Sequence, residues 1–396
     1  MVRFPRSELA AALVREITAP SPLTDATNGV FLAAPRRTGK STFLQHDLSP
    51  ALSAAGTVVV YVDLWADRRR DPTRLIAEAI ARALEPHLGL IQRAAKSARL
   101  ESVNVAGAVK IDLSRIGQAD GLTLTDALRE LRDRSGKKVA LIIDEAQHAL
   151  TSPEGAATMA ALKSARDQMN APGHATLFLV MSGSDRDKLL RLVATNGAPF
   201  FGSHVTRMPL LGADFIAHLA QLIEAEQPAR APVDRAMLLE AFAYYGHRPQ
   251  FLLQSLTQAL SPLAGLPQDQ RFERAVLEAA LIQRSDDESA MASEFLALRP
   301  LEQAVLWRML ETAEHYRPYD AAALRFYSDR VGEKVTAQQA QASLEALRDR
   351  EAPLVWRSAR GEYALENAAM HGWHKRVSAA GQWPPEPEDS TNFRLR

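Results

Sequence analysis

Residues 34–41 read Ala-Pro-Arg-Arg-Thr-Gly-Lys-Ser, which follows G-x-x-x-x-G-K-[ST] except for Ala34 at the first glycine. Each position has a mechanical use. A loop of this kind wraps a phosphate with backbone N–H groups at the N-terminus of a helix. Gly39 lets the backbone approach the phosphate closely. Lys40 supplies a cation for the β- and γ-phosphates of a nucleoside triphosphate, and Ser41 offers a hydroxyl to Mg2+. The nucleotide-binding residues on this reading are Ala34, Pro35, Arg36, Arg37, Thr38, Gly39, Lys40, Ser41 and Thr42. The plain alternative is a strand–turn–helix connection with a chance lysine. The apolar run Val30–Ala33 before the loop, and Phe43 and Leu44 after it, favour the phosphate site.

A second acidic signal lies downstream. Lys137–Gln147 reads KKVALIIDEAQ, an apolar run that ends in Asp144-Glu145. A buried strand would set Asp144 beside the loop, where it can hold Mg2+ through water. Glu145 would then polarise the attacking water as the catalytic base. An Asp after a strand is otherwise an ordinary helix N-cap; the upstream loop tips the balance towards chemistry. Lys40 and Glu145 are the main catalytic candidates, and Ser41 and Asp144 the metal ligands.

Three further positions can touch phosphate. The apolar run Ala175–Met181 ends in Ser182-Gly183-Ser184, and Ser184 or Ser182 can read the γ-phosphate there; an ordinary Ser-Gly turn fits as well. Arg207 follows Pro199-Phe200-Phe201-Gly202-Ser203 and can act as a finger in cis or from a neighbouring subunit, against the bland role of a surface ion pair. Arg248, in Gly246-His247-Arg248-Pro249, opens a helix and can point at phosphates. Arg68-Arg69-Arg70 reads as a solvated loop. His148 has no second ligand at zinc spacing and reads as structural.

The elements that must position these groups alternate in the first half. Val30–Ala33, Thr57–Leu64, Val139–Ile143 and Ala175–Met181 are predicted strands. Helices are predicted from Ser7 to Ile17, from Ser41, from Asp71-Pro72 to about Leu88, over Thr125–Arg134 and after Ser152-Pro153-Glu154. Val103–Ala106 and Val109–Leu113, around Gly107, suggest a small hairpin. Strand–helix alternation implies a parallel sheet covered on both faces, with ligands at the carboxyl ends of the strands. All the motifs above fall at such ends. Beyond about Leu210 the pattern is helical: Asp214–Glu226, Val233–Tyr245, Pro249–Leu260 and Arg271–Arg284. Three helices over Leu301–Glu311, Asp320–Val331 and Thr336–Arg350 then precede two short strands, Leu354–Arg357 and Glu362–Leu365, which is the order of a winged helix. The expected division is a P-loop core at 1–210, a helical lid at 211–295, a winged-helix domain at 296–378 and a disordered tail at 379–396.

Composition removes several classes of function. Acids and bases balance at 47 each, so no global field draws the chain to nucleic acid or anionic membrane, and any DNA contact needs a local patch. The chain has no cysteine, which excludes disulfides, thiol catalysis and cysteine-bound metal. No apolar run approaches the roughly 20 residues that span a bilayer. The expectation is a cytoplasmic protein with no membrane partner.

Together the motifs resemble the AAA+-related P-loop ATPases of the STAND and archaeal-type group. Ala34–Ser41 is similar to that group's G-P-R-R-x-G-K-[ST] loop, LIIDEAQ at Leu141–Gln147 to its Walker B strand, and Gly246–Pro249 to the G-x-x-P element of its lid. Arg6-Ser7-Glu8-Leu9 is loosely similar to its R-x-x-E-L opening. Two departures are Ala34 for Gly, and Ser203 where an Arg often follows [FY]-G. The resemblance implies an α/β fold: an ASCE-type P-loop parallel sheet, a helical lid and a C-terminal winged helix. It also implies ATP and Mg2+ as ligands and a nucleotide-driven switch with an unidentified protein partner; a nucleotide-dependent homo-oligomer is left open, because Ser203 stands in place of the arginine that would serve a neighbouring subunit. The alternative is an ATP-regulated protein that grips DNA through its winged helix. Thr336–Arg350 carries Gln338, Gln339, Gln341, Arg348 and Arg350, but also Glu345 and Asp349, so its charge is near balance.

Overall fold

The computed structural model describes residues 3–19, 26–67, 70–88, 116–117, 121–171, 174–194, 196–263, 271–358 and 361–386. The hairpin expected at 103–113, together with Arg68 and Arg69, lies outside these residues. The chain divides into two compact units, Met1–Pro209 and Leu210–Arg396.

The first unit is built on a five-stranded parallel sheet. Its strands are β1 (Val30–Ala33), β2 (Thr57–Asp63), β3 (Lys138–Asp144), β4 (Leu177–Gly183) and β5 (Val205–Arg207), in the spatial order β2-β3-β4-β1-β5. Val, Ile and Leu fill these strands because helices cover both faces. β1 and β4 are buried at every position, and β3 at all but Lys138. The helices are α1 (Ser7–Thr18), α2 (Lys40–Phe43), α3 (Ser49–Ala54), α4 (Pro72–Leu84), α5 (Leu124–Ser135), α6 (Pro153–Met169) and α7 (Arg186–Leu190). A π turn, Leu44–Leu48, joins α2 to α3. Caps set several starts: Asp71 accepts from Thr73 N–H before a proline, Thr123 from Asp126 N–H, and Ser152 from Gly155 N–H.

Register decides what meets at the sheet's carboxyl edge. Ala33 pairs with both Gly183 and Arg207, and Asp63 with Asp144. The loops after β1, β3 and β4 therefore emerge side by side. β4 runs to Gly183, two residues beyond the predicted Met181, because Ser182 and Gly183 continue the ladder with Leu32 and Ala33. β5 was not expected: three residues lie too close to a turn for periodicity to mark them.

The second unit begins with α8 (Ala213–Glu226), α9 (Arg235–Tyr244), α10 (Pro249–Ala259) and α11 (Phe272–Leu296). α11 runs a dozen residues past the predicted Arg284 (284 to 296) and crosses the expected lid boundary. No Gly or Pro interrupts it, and Gln283–Asp287 and Arg284–Glu288 pairs support it across that point. Then come α12 (Pro300–Thr312), α13 (Ala321–Val331), α14 (Ala337–Arg348), the antiparallel pair β6 (Val355–Arg357) and β7 (Tyr363–Leu365), and α15 (Ala369–Ala379). Three helices and a hairpin follow winged-helix order. A core of Val305, Leu306, Met309, Tyr327, Leu344, Leu347, Met370 and Trp373 fills it.

α15 is a further helix that the sequence pattern did not mark. Its glycine, Gly372, and short apolar content hide it, while burial of Met370 and Trp373 makes it. The tail expected to lack order from Ala379 is placed as far as residue 386. Trp383 packs there against Phe295, Trp307, Trp373 and His374, at ring separations of 4.5–5.5 Å.

Candidate nucleotide site

The loop after β1 carries the site's cation. Gly39 has φ +90°, a left-handed conformation open to glycine, and turns the chain into α2. Arg37 also lies at positive φ, +66°. Thr38, buried, donates from its hydroxyl to the Pro35 carbonyl at 2.7 Å and holds the loop closed. Ala34 N–H donates to the Gly183 carbonyl at 3.1 Å, which ties the loop to β4. Pro35, Arg36, Arg37 and Thr42 are exposed, while Ala34 is buried. The substitution of Ala for the first glycine is accommodated because Ala34 is not one of the positive-φ positions.

Lys40 and the acidic pair meet directly. Lys40 is 4% exposed and Asp144 fully buried. Lys40 Nζ donates to Asp144 Oδ1, to Ser182 Oγ at 3.2 Å, and lies 2.9 Å from Glu145 Oε1. Ser41 Oγ donates to Asp144 Oδ2 at 2.5 Å, and Tyr61 hydroxyl donates to the same oxygen at 3.1 Å. Ser182 Oγ and Glu145 N–H both donate to Asp144 Oδ1. Asp144 is thus the acceptor on which β1's loop, β2, β3 and β4 converge.

Glu145 is held as tightly. It stands at φ +55°, a strained position for a residue with a side chain. Its Oε2 accepts from Ser184 Oγ at 2.7 Å, Ser184 N–H at 3.3 Å and Gln147 Nε2 at 2.6 Å. Gly183 makes room for this: a Cβ there would sit 2.6 Å from Gln147 Oε1.

Electrostatics follow from burial and pairing. Burial raises both carboxyls, but the Lys40 ammonium and the hydroxyl and amide bonds outweigh it. Asp144 and Glu145 therefore lie below the ordinary carboxylate range. Burial raises the Tyr61 phenol and the Asp144 charge adds to this, so Tyr61 stays a donor. Burial also raises Asp63, against the bond it accepts from Trp65 N–H.

Of the expected residues, Lys40, Ser41, Asp144, Glu145 and Ser184 are brought together. Ser182 joins them from inside the strand. Arg207 ends edge strand β5, exposed, beside Ala33 in register. Arg248 lies in the second unit, where it donates to the Tyr245 carbonyl, approaches Asp287 at 3.4 Å and covers the Phe251 ring. Arg70 pairs with Glu78. The His148 ring lies tilted against Trp65, with centroids 4.3 Å apart. Sequence reasoning missed Tyr61 and Gln147. The register of β2 beside β3 puts Tyr61 within reach, and no spacing rule carries that. Gln147 sits two residues after Glu145 in a short 3-10 turn, a local signal that was available.

The donor set suits a magnesium nucleotide. Mg2+ prefers one or two carboxylates completed by phosphate and water oxygens rather than a full protein cage. Asp144 and the Ser41 hydroxyl fit that, and among the described residues no three acidic or histidine side chains cluster as a cage. Among the described residues no helix is long and apolar enough to cross a membrane.

Residues 25–190 match the family model of an AAA domain. Comparison with curated proteins finds no match. Among solved structures, the chain is similar to the ADP form of the ORC2 protein of Aeropyrum pernix. The identity is 15% and the TM-score 0.50, over 96% of this chain and 95% of that one. The same protein in ADPNP–ADP complexes gives 15% and 0.49 over the same shares. The Walker-type ATPase of Pyrococcus abyssi gives 17% and 0.48, over 94% of this chain and 96% of that one. At 15% identity the likeness to the ADP form concerns the fold alone. The matched segment spans β1 to β4 with both the lysine loop and the acidic pair, so residues 25–190 carry the AAA domain of an AAA+-related P-loop fold.

Proposed function

We propose that the chain is a Mg2+-dependent ATP-binding and ATP-hydrolysing switch, whose nucleotide state controls the docking of segments 211–295 and 296–378. The observation that carries this is the convergence of Lys40, Ser41, Asp144, Glu145, Ser182 and Ser184 at the carboxyl ends of three neighbouring strands. Lys40 and the loop N–H groups take the phosphates. Ser41 and Asp144 would hold Mg2+, which when bound neutralises phosphate charge. Glu145 orients the attacking water and accepts its proton, with Ser184 and Gln147 fixing its carboxylate. Lys40 now binds both carboxylates, so nucleotide binding exchanges these contacts for phosphate ones. The presence of a held glutamate beside the lysine supports turnover over a purely structural nucleotide.

The trans role of Arg207 is part of this proposal. Its exposure at the end of an edge strand supports contact with the nucleotide of a second copy. The DNA-gripping alternative has less support. Gln339 is engaged in the capping box of α14, Gln341 donates to Glu345, and Arg348 donates to Asp349. Side chains engaged within their own helix have less to offer base edges.

The test is Mg2+-dependent ATP hydrolysis by the wild type beside Lys40→Ala and Glu145→Gln, with and without duplex DNA. We expect wild-type turnover, loss of ATP binding in Lys40→Ala, and binding without turnover in Glu145→Gln. Wild type that binds no ATP would end the proposal. Turnover strongly stimulated by duplex would favour the DNA reading.

A further inference from the structure

Arg36 lies on the exposed side of the phosphate loop, yet it is not loose. Its guanidinium sits 4.5 Å over the Trp65 ring, and the His148 ring lies tilted against Trp65 with centroids 4.3 Å apart. Its Nε lies 3.4 Å from Ser184 Oγ. Ser184 Oγ donates to Glu145 Oε2, and Glu145 Oε1 lies 2.9 Å from Lys40 Nζ. A chain of contacts therefore runs from Arg36 to Lys40 through the base. The terminal phosphate must lie between Lys40, which binds it, and Glu145, which addresses the water that attacks it. Arg36 is anchored at the edge of that place.

We propose that Arg36 reads the terminal phosphate of the nucleotide in cis, and that Trp65 is the platform on which it waits. This rests on the nucleotide reading above and adds to it a residue that tells ATP from ADP. Arg207 is exposed on an edge strand, and Arg248 is engaged within the second unit by Tyr245, Asp287 and Phe251. Of these three arginines, Arg36 is the one whose contacts lead into the acidic pair. An exposed cation–π stack is weak next to charge-assisted hydrogen bonds to a phosphate, and a guanidinium makes those in pairs. The γ-phosphate can therefore take the guanidinium from the indole, whereas ADP leaves it in place. Moving it also removes Nε from Ser184, the residue that holds Glu145, so the same exchange informs the base.

The experiment compares affinities for Mg2+-ADP and a Mg2+-bound non-hydrolysable ATP analogue by calorimetry, in wild type, Arg36→Ala, Arg36→Lys and Trp65→Phe. In Arg36→Ala, analogue affinity is expected to fall about tenfold to a hundredfold while ADP affinity stays within about twofold. Arg36→Lys should recover only part, since a point charge replaces a planar fork. Trp65 is the single tryptophan before residue 307. The wild-type minus Trp65→Phe fluorescence difference should respond to the analogue and not to ADP. Equal losses for both nucleotides in Arg36→Ala would make Arg36 a loop scaffold and overturn the proposal, as would unchanged affinities. If wild type binds neither nucleotide, the nucleotide reading falls first and this one with it; if wild type binds both and only the discrimination is missing, this one falls alone.

Discussion

Asp144 and Glu145 show how a buried charge cluster is made tolerable. Two adjacent carboxylates out of water are costly, and Lys40 with hydroxyl and amide donors offsets that cost. Removing Lys40 would take from both acids the cation that they share. We expect Lys40→Ala to lower stability by about 3 kcal/mol, read by denaturant unfolding, so its loss of ATP binding must be checked on folded protein. The acid response follows from the same contacts. Both folded carboxyls lie below their unfolded values of about 4. Their stabilisation is complete above that value and is lost as pH falls through the depressed folded values. The melting temperature should hold from about pH 7 to pH 5 and drop below about pH 4. Glu145→Gln should lose part of that drop; a slope as steep as the wild type's would show that other carboxylates cause it.

At the scale of elements, the site depends on where β4 ends. Strand pairing carries Ser182 and Gly183 into the ladder beside β1, so Ser182 faces Asp144 and Ser184 faces Glu145. Gly183 is the close approach in this arrangement. A methyl group there meets Gln147 Oε1 and displaces the amide that fixes Glu145. Gly183→Ala is expected to reduce turnover about tenfold or more with ATP affinity little changed, measured by steady-state kinetics and equilibrium binding. Equal activity would mean that Gln147 has no part in holding Glu145. The parallel order β2-β3-β4-β1-β5 explains why one loop and two strand ends suffice, since all three chain exits lie on one edge.

At the scale of the molecule, the second unit closes its own core late in the chain. α15 and Trp383 supply aromatic surface that α11, α12 and α13 would otherwise leave open: Arg330 lies 3.7 Å over Trp307, and Trp307 meets Phe326 and Trp383 edge-on. Trp383 is half-buried, so Trp383→Ala is expected to cost about 2 kcal/mol, seen as a lower unfolding midpoint. An unchanged midpoint would show that residues 380–386 add nothing to this core.

The meeting of Lys40 and Ser41 with Asp144 and Glu145 was legible from residues alone. Gly39-Lys40-Ser41 and Asp144-Glu145 announce themselves because phosphate and metal chemistry demands particular side chains at short, regular spacing. The alternation of apolar runs with capped helices likewise gave the parallel sheet and the change to helices near Leu210. Contacts between distant residues were decided only in three dimensions. Tyr61 reaches Asp144 because β2 pairs with β3, Arg36 meets Trp65 and Ser184 because two loops leave one sheet edge, and Trp383 becomes a core residue because Phe295, Trp307 and Trp373 surround it. Short elements such as β5 and α15 belong to the same class: their own pattern is too brief to specify them, and packing against the rest of the fold does.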